Sequence, residues 1–355
     1  MAAMAWQGIE GHDAIAVRFG AAQTRGRIAG SYLFVGPAGV GKSSFALALA
    51  RSLLCAAPGP GLAACGKCAS CVQAAAGSHP DIDVVRKPDD KATIPLDTFI
   101  GEPEHRMREG LCWRLLLRPQ LGGRKVAIIL DADHLADEAA NCLLKTLEEP
   151  PESAVIILVG TTLERQLPTI RSRCQVVRFG PLDSETVRRL ITQEAGATAT
   201  AVDPATLAAC AEAAAGSLAR ARLLLDPEAA AFRDRLLELL ARRPLHGVDL
   251  AREATAFVDA AGKEAPPRRA RLRMILETAV DVFRHAARQA AGSDHAPPSA
   301  FAAAAASWAA DSDRAIAAID RTLDALAAVE RNANLGVLVD AWTAVLEEPR
   351  LATSA

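Results

Sequence analysis

The apolar run Leu33-Phe34-Val35 stops at Gly36, and Gly39, Gly41, Lys42, Ser43 and Ser44 follow before a helical pattern through Phe45, Leu47, Leu49 and Leu53. A strand, a glycine-rich turn and a helix that begins on lysine form the order a phosphate-binding P-loop requires. The glycines let backbone N–H groups turn inward around phosphate oxygens, and the helix start adds the positive end of its dipole. Lys42 would reach the outer phosphates and Ser43 would hold Mg2+. The ordinary alternative is a Gly-rich turn before a helix, and the strand on one side and helix on the other favour nucleotide binding.

The chain around this loop has 355 residues, half of them apolar and 23% charged, enough for two or three domains with real cores. The first core strand is expected at Ser31–Val35, and further buried strands at Ile82–Val85, Lys125–Leu130, Ala154–Val159 and Cys174–Phe179. Helices are expected at His12–Arg27, Phe45–Leu54, Leu96–Leu117 (irregular) and Ala136–Leu147. Alternating strands and helices predict a parallel sheet with helices on both faces. After Pro181 strand-like runs nearly vanish and Ala/Leu/Arg-rich helices take over. The expected parts are 1–180, a small helical domain at 181–228 and a larger helical domain at 229–355. The net charge of −2 gives no global basic field for nucleic acid. Neither a signal-like start between Met1 and Gly11 nor an apolar run of membrane-spanning length is present, so a soluble cytoplasmic protein with no membrane partner is expected.

Four of the eight cysteines cluster as Cys55-x9-Cys65-x2-Cys68-x2-Cys71 directly after the P-loop helix. Four thiolates at this spacing can close a tetrahedron around a structural Zn2+. An iron–sulfur cluster is the competing metal reading, but no cysteine continues the pattern through Val72–Ala76. Cys112, Cys142, Cys174 and Cys210 are expected as reduced core residues. Asp131 ends an apolar strand, where it would orient Mg2+ or else simply cap a turn. A Glu that would activate water often follows such an Asp; here Ala132 follows, and Asp133 lies one position further. Arg173 precedes a strand. Spacing alone favours a surface salt bridge over a role against the γ-phosphate of a neighbouring subunit.

Gly36–Ser43, the four cysteines, Ser78-His79-Pro80-Asp81, the run Ala140-Asn141-Cys142-Leu143-Leu144-Lys145-Thr146-Leu147-Glu148-Glu149-Pro150-Pro151 and Ser172-Arg173-Cys174 occur in this order. Together they closely resemble the bacterial clamp-loader AAA+ subunits of DNA polymerase III, over about residues 6–230. The resemblance implies a P-loop AAA+ domain, a helical lid and an all-α collar, with ATP or ADP and Mg2+ at Gly36, Gly39, Gly41, Lys42, Ser43, Ser44 and Asp131. It implies that Arg173 acts in trans on ATP in an adjacent gamma/tau motor subunit. It further implies a clamp-opening delta subunit as neighbour, with sliding clamp and primed DNA met through the complex. For His79 and Asp81 a turn that positions a strand is expected, not chemistry.

Two departures favour a delta-prime type over a gamma/tau motor. Asp131 is followed by Ala132, where motors carry Asp-Glu. In Gly216-Ser217-Leu218-Ala219, Ala219 stands where a motor has its lid arginine, and Arg220 is rotated from that position by about 100°. Nucleotide binding with little or no hydrolysis is therefore expected. The alternatives are a self-sufficient motor ATPase in which Asp133 replaces the missing Glu, and an unrelated P-loop phosphotransferase. The helical domains and cysteine cluster argue against the latter.

Overall fold

The computed structural model describes residues 6–106, 108–121, 123–197, 202–293, 297 and 299–347. The chain divides into two compact units, Met1–Arg222 and Leu223–Ala355.

The first unit is built on five strands: β1 (Ser31–Val35), β2 (Ile82–Val85), β3 (Lys125–Ile129), β4 (Ala154–Val159) and β5 (Gln175–Arg178). All pairings are parallel, in the order β2-β3-β4-β1-β5. The three middle strands are buried on both faces, which explains their unbroken apolar runs. Alternate residues supply two cores. Leu33, Val35, Ala127, Ile129, Ile156 and Leu158 face one side. Tyr32, Phe34, Val126, Ile128, Val155 and Ile157 face the other.

The helices of this unit are α1 (Asp13–Thr24), α2 (Lys42–Leu53), α3 (Ala69–Ala75), α4 (Asp97–Ile100), α5 (Gly110–Leu116), α6 (Asp137–Glu148), α7 (Pro168–Arg171), α8 (Ser184–Ala197), α9 (Pro204–Ala213) and α10, which runs Leu218–Leu224 across the division. Ile15 and Phe19 of α1 and Phe45 and Leu49 of α2 fill the second core; Leu111 and Leu115 of α5 and Leu143 of α6 fill the first. The helix expected over Leu96–Leu117 is instead two short ones. Gly110 adopts φ 84° and its backbone crosses so near Gly101 and Phe99 that any side chain there would collide, which pinches 102–109 out as a loop. Pro103 opens a 3-10 turn within it. Of the scattered cysteines, Cys112, Cys174 and Cys210 are buried and Cys142 is half-buried. Gly122, residues 198–201, residues 294–296 and residue 298, which fall in stretches whose glycine, proline and polar residues mark breaks between elements, lie outside the described residues.

His79 and Asp81 position the chain. Asp81 is fully buried, and its carboxylate accepts from the N–H groups of Gln120 (2.8 Å) and Leu121 (3.0 Å) beside the Lys125 ammonium at 3.6 Å. It ties the start of β2 to the entry of β3. Asp81→Ala would strand a buried lysine and two amides, so a loss of about 3–5 kcal/mol in urea unfolding is expected.

Every regular element among the described residues of the second unit is a helix: the end of α10, then α11 (Pro227–Ala241), α12 (Gly247–Asp259), α13 (Ala265–Ala290), α14 (Ser299–Ala309), α15 (Ser312–Glu330) and α16 (Leu335–Glu347). The long α13 is its axis. The alanine-rich stretch 300–306 lies in a packed helix, α14, with Phe301 and Trp308 buried and Trp308 Nε1 donating to the Leu240 carbonyl at 2.9 Å. No helix among the described residues is long and apolar enough to cross a membrane.

Candidate functional site

In an open parallel sheet ligands gather beyond the carboxyl ends of the strands. The segments leaving β1 (36–42), β3 (130–133) and β4 (160–166) meet there. Gly36 N–H donates to the Thr161 carbonyl at 2.9 Å and Gly160 N–H to the Phe34 carbonyl at 2.9 Å. Gly39 and Gly41 have φ 76° and 98°, a left-handed turn that aims the first N–H groups of α2 outward. No side chain caps that helix start, so those donors are available to an anion.

Lys42 is 7% exposed, and its ammonium donates to the carbonyls of Gly36 (2.6 Å) and Pro37 (2.5 Å). Burial pulls its pKa down to about 8, opposed by the charge of Asp133. The carboxylate acting on Lys42 is thus that of Asp133. Asp131, the expected Mg2+ orienter, is exposed in a left-handed conformation (φ 55°), and its Oδ2 accepts the Lys87 N–H at 3.4 Å. The extra residue after the buried Leu130 makes the difference: β3 ends at Ile129, and a 3-10 turn over Ala132–His134 brings position 133 back over the sheet edge. Asp133 accepts from Thr161 N–H (2.8 Å), Thr161 Oγ1 (2.6 Å) and Gln166 Nε2. Sequence reasoning missed Thr161 and Gln166. Their signal was their place just after an apolar strand.

His12, also unforeseen, closes the far side of the loop. Its Nε2 donates to the Val40 carbonyl at 2.7 Å and its ring meets Phe179 edge-on. The start of α10 approaches from the other side: Leu218 N–H donates to the Gly39 carbonyl at 3.0 Å. A Cβ at Gly39 would come within 2.8 Å of the Ala219 methyl, so position 219 faces the loop and Ala219 brings no charge to it.

Arg173 follows α7. Its Nε donates to Glu148 Oε1 at 2.7 Å, and Nη1 donates to the Thr169 carbonyl (3.0 Å) and Ser172 Oγ (3.2 Å). Both partners of the ion pair are partly exposed. The surface salt bridge expected from spacing is present, and it holds the guanidinium at the end of α6.

The sulfurs of Cys55, Cys65, Cys68 and Cys71 all lie within 4.8 Å of one another, with Cys65 and Cys71 at 4.0 Å. A tetrahedral ion with bonds of about 2.3 Å needs sulfurs about 3.8 Å apart, so the four could hold a metal. Backbone amides already point at them: Cys65 N to Cys55 Sγ (3.3 Å), Cys68 N to Cys65 Sγ and Cys71 N to Cys68 Sγ (3.4 Å each). Amide donors from Ala56 and Cys71 bring the Cys68 thiol down to about 6, whereas burial pushes Cys71 up to about 12. A bound cation reverses the latter. The cluster is anchored to the P-loop helix. Ser70 Oγ donates to the Leu54 carbonyl at 2.7 Å and accepts from His79 Nε2 at 2.9 Å, while His79 Nδ1 accepts the Asp81 N–H.

The family model described as "DNA polymerase III, delta subunit" matches residues 11–183. The delta' subunit of Pseudomonas aeruginosa DNA polymerase III is 40% identical over 150 residues, 42% of this chain and 43% of that one. Residues 11–183 belong to the clamp-loader subunit family of DNA polymerase III. The gamma/tau subunit of Mycobacterium bovis is 35% identical over 259 residues, 71% of this chain and 43% of that protein. The chain therefore spans less than half the length of these two relatives. Among solved structures, a gamma subunit-related protein of Thermotoga maritima aligns with 94% of this chain and 98% of its own at 17% identity and a TM-score of 0.42. Within this clamp-loader-type domain, the P-loop, Arg173 and the cysteine cluster are the three places with chemistry to offer.

Proposed function

We propose that the chain is a delta-prime-type clamp-loader subunit that binds ATP with Mg2+, turns it over slowly or not at all, and lends Arg173 to a neighbouring gamma/tau-type motor subunit. The observation that carries this is the mismatch between a complete phosphate cradle and an incomplete cutting apparatus. Lys42 and the free N–H groups of α2 suit a triphosphate. The methyl of Ala219 faces the loop where a lid cation would serve, and three donors already occupy Asp133. The parts are a nucleotide domain (1–180), a lid (181–228) and a collar (229–355). Its partners are gamma/tau and delta subunits, with sliding clamp and primed DNA reached through the assembly. Residues 55–71 would hold one structural Zn2+, whose role is to cross-link that loop.

The motor-ATPase reading keeps one point in its favour: Asp133 is the carboxylate that acts on Lys42. Binding and single-turnover assays on the isolated chain separate the two, because brisk hydrolysis belongs only to the motor. Lys42 adds a pH signature. It carries its charge below its folded pKa of about 8 and loses it above. ATP affinity, followed by fluorescent-nucleotide titration, is expected to fall as pH rises through that value. A flat profile to pH 9.5 would remove Lys42 from the phosphate site.

A further inference from the structure

Gln166 is 3% exposed, and only half of its amide is used. Its Nε2 donates to Asp133 Oδ1, while its Oε1 is buried without a partner among the described residues. Reversing the amide would set its oxygen against the Asp133 carboxylate, so the orientation is fixed by chemistry. Burying an acceptor unsatisfied is unfavourable, and such groups in native proteins call for a reason. The surroundings are built for close approach. A Cβ at Gly160 would lie 2.6 Å from both Asp133 Oδ1 and Gln166 Nε2, so any larger residue there would push this pair aside. The next residue, Thr161, accepts the Gly36 N–H and donates twice to Asp133. The orphaned oxygen thus belongs to a polar cluster that touches the first glycine of the P-loop.

We propose that Gln166 is a positioning residue of the nucleotide site, holding Asp133 through Nε2 and accepting, at Oε1, a hydrogen bond from water that enters with a magnesium-bound triphosphate. The proposal rests on the reading that the P-loop binds nucleotide. The cluster joins the first glycine of the P-loop through the Thr161 carbonyl, and its carboxylate acts on Lys42, the residue that would reach the outer phosphates, so Gln166 would distinguish triphosphate from diphosphate. An amide supplies both a donor for the carboxylate and an acceptor for the water; a lysine or leucine could not do both.

The test is equilibrium titration of the full chain with fluorescent ATP and ADP in Mg2+, comparing the natural protein with Gln166→Met, which keeps the packing. ATP affinity is expected to fall about tenfold with ADP affinity nearly unchanged, as loss of one hydrogen bond to a charged assembly implies. A merely structural glutamine would weaken both nucleotides alike, and that result, or no change in either, overturns the inference. Should the Met variant fail to fold, Gln166→Asn, one methylene too short to serve both partners, is read by the same criterion. If the natural chain binds neither nucleotide, the nucleotide reading falls and this inference with it. If it binds both and the variants match it, only this inference falls.

Discussion

Arg173→Ala is expected to lower ATP turnover of a complex reconstituted with gamma/tau-type and delta subunits by about three orders of magnitude, the usual scale for an arginine supplied in trans. Assembly, followed by size-exclusion chromatography, and nucleotide binding by this chain should be unaffected, because Arg173 is partly exposed and its ion pair with Glu148 is of the weak surface kind. Arg173→Lys should recover little, since a lysine keeps the charge but not the planar fork that grips two oxygens. Glu148→Ala is the informative control. It releases the guanidinium from α6 without removing it, so turnover should survive in part. An Arg173→Ala complex that hydrolyses ATP at the natural rate would end the trans assignment.

Cys71→Ser should reduce zinc content from about one ion per chain to near zero and lower the thermal midpoint of the first unit by roughly 10 °C. Cys71 is the more deeply buried of the two buried members, Cys55 being the other, and sits in the first turn of α3. Its loss opens the tetrahedron on the side that packs inward. The damage should spread through Ser70, which bridges α3 to the end of α2 and to His79. It should also reach Leu62, which belongs to the core shared with Phe19 and Phe45. Metal analysis with a featureless visible spectrum distinguishes zinc from an iron–sulfur cluster. A stable, metal-free natural protein would refute the assignment.

The parts legible in the sequence were those written in local pattern. The β1, β2 and β4 strands fall on the residues their apolar runs suggested, and the P-loop helix begins at the lysine its motif demands. Arg173 was legible as a surface ion pair from spacing, and its partner Glu148 lies within the acidic run that carries the family resemblance. What stayed hidden depends on where separate segments meet. The count from the end of β3 named Asp131 for Mg2+, but it did not reveal that the turn over 132–134 sets Asp133 against Thr161 and Gln166, near enough for its charge to act on Lys42. Thr161 and Gln166 carry no motif of their own; only the parallel order of β1, β3 and β4 brings them to the phosphate loop. The irregular 96–117 segment broke for a tertiary reason, the crossing at Gly101 and Gly110, that helical periodicity does not record.

The bond from Leu218 N–H to the Gly39 carbonyl joins main chain to main chain. Side-chain drift at 217–219 therefore leaves this tie between the start of α10 and the glycine loop in place, and at position 218 itself only proline would delete the donor. The side chain at 219 can therefore change what chemistry the loop meets while the attachment stays. Attachment and chemistry are thus carried by different atoms, the first by the backbone and the second by side chains.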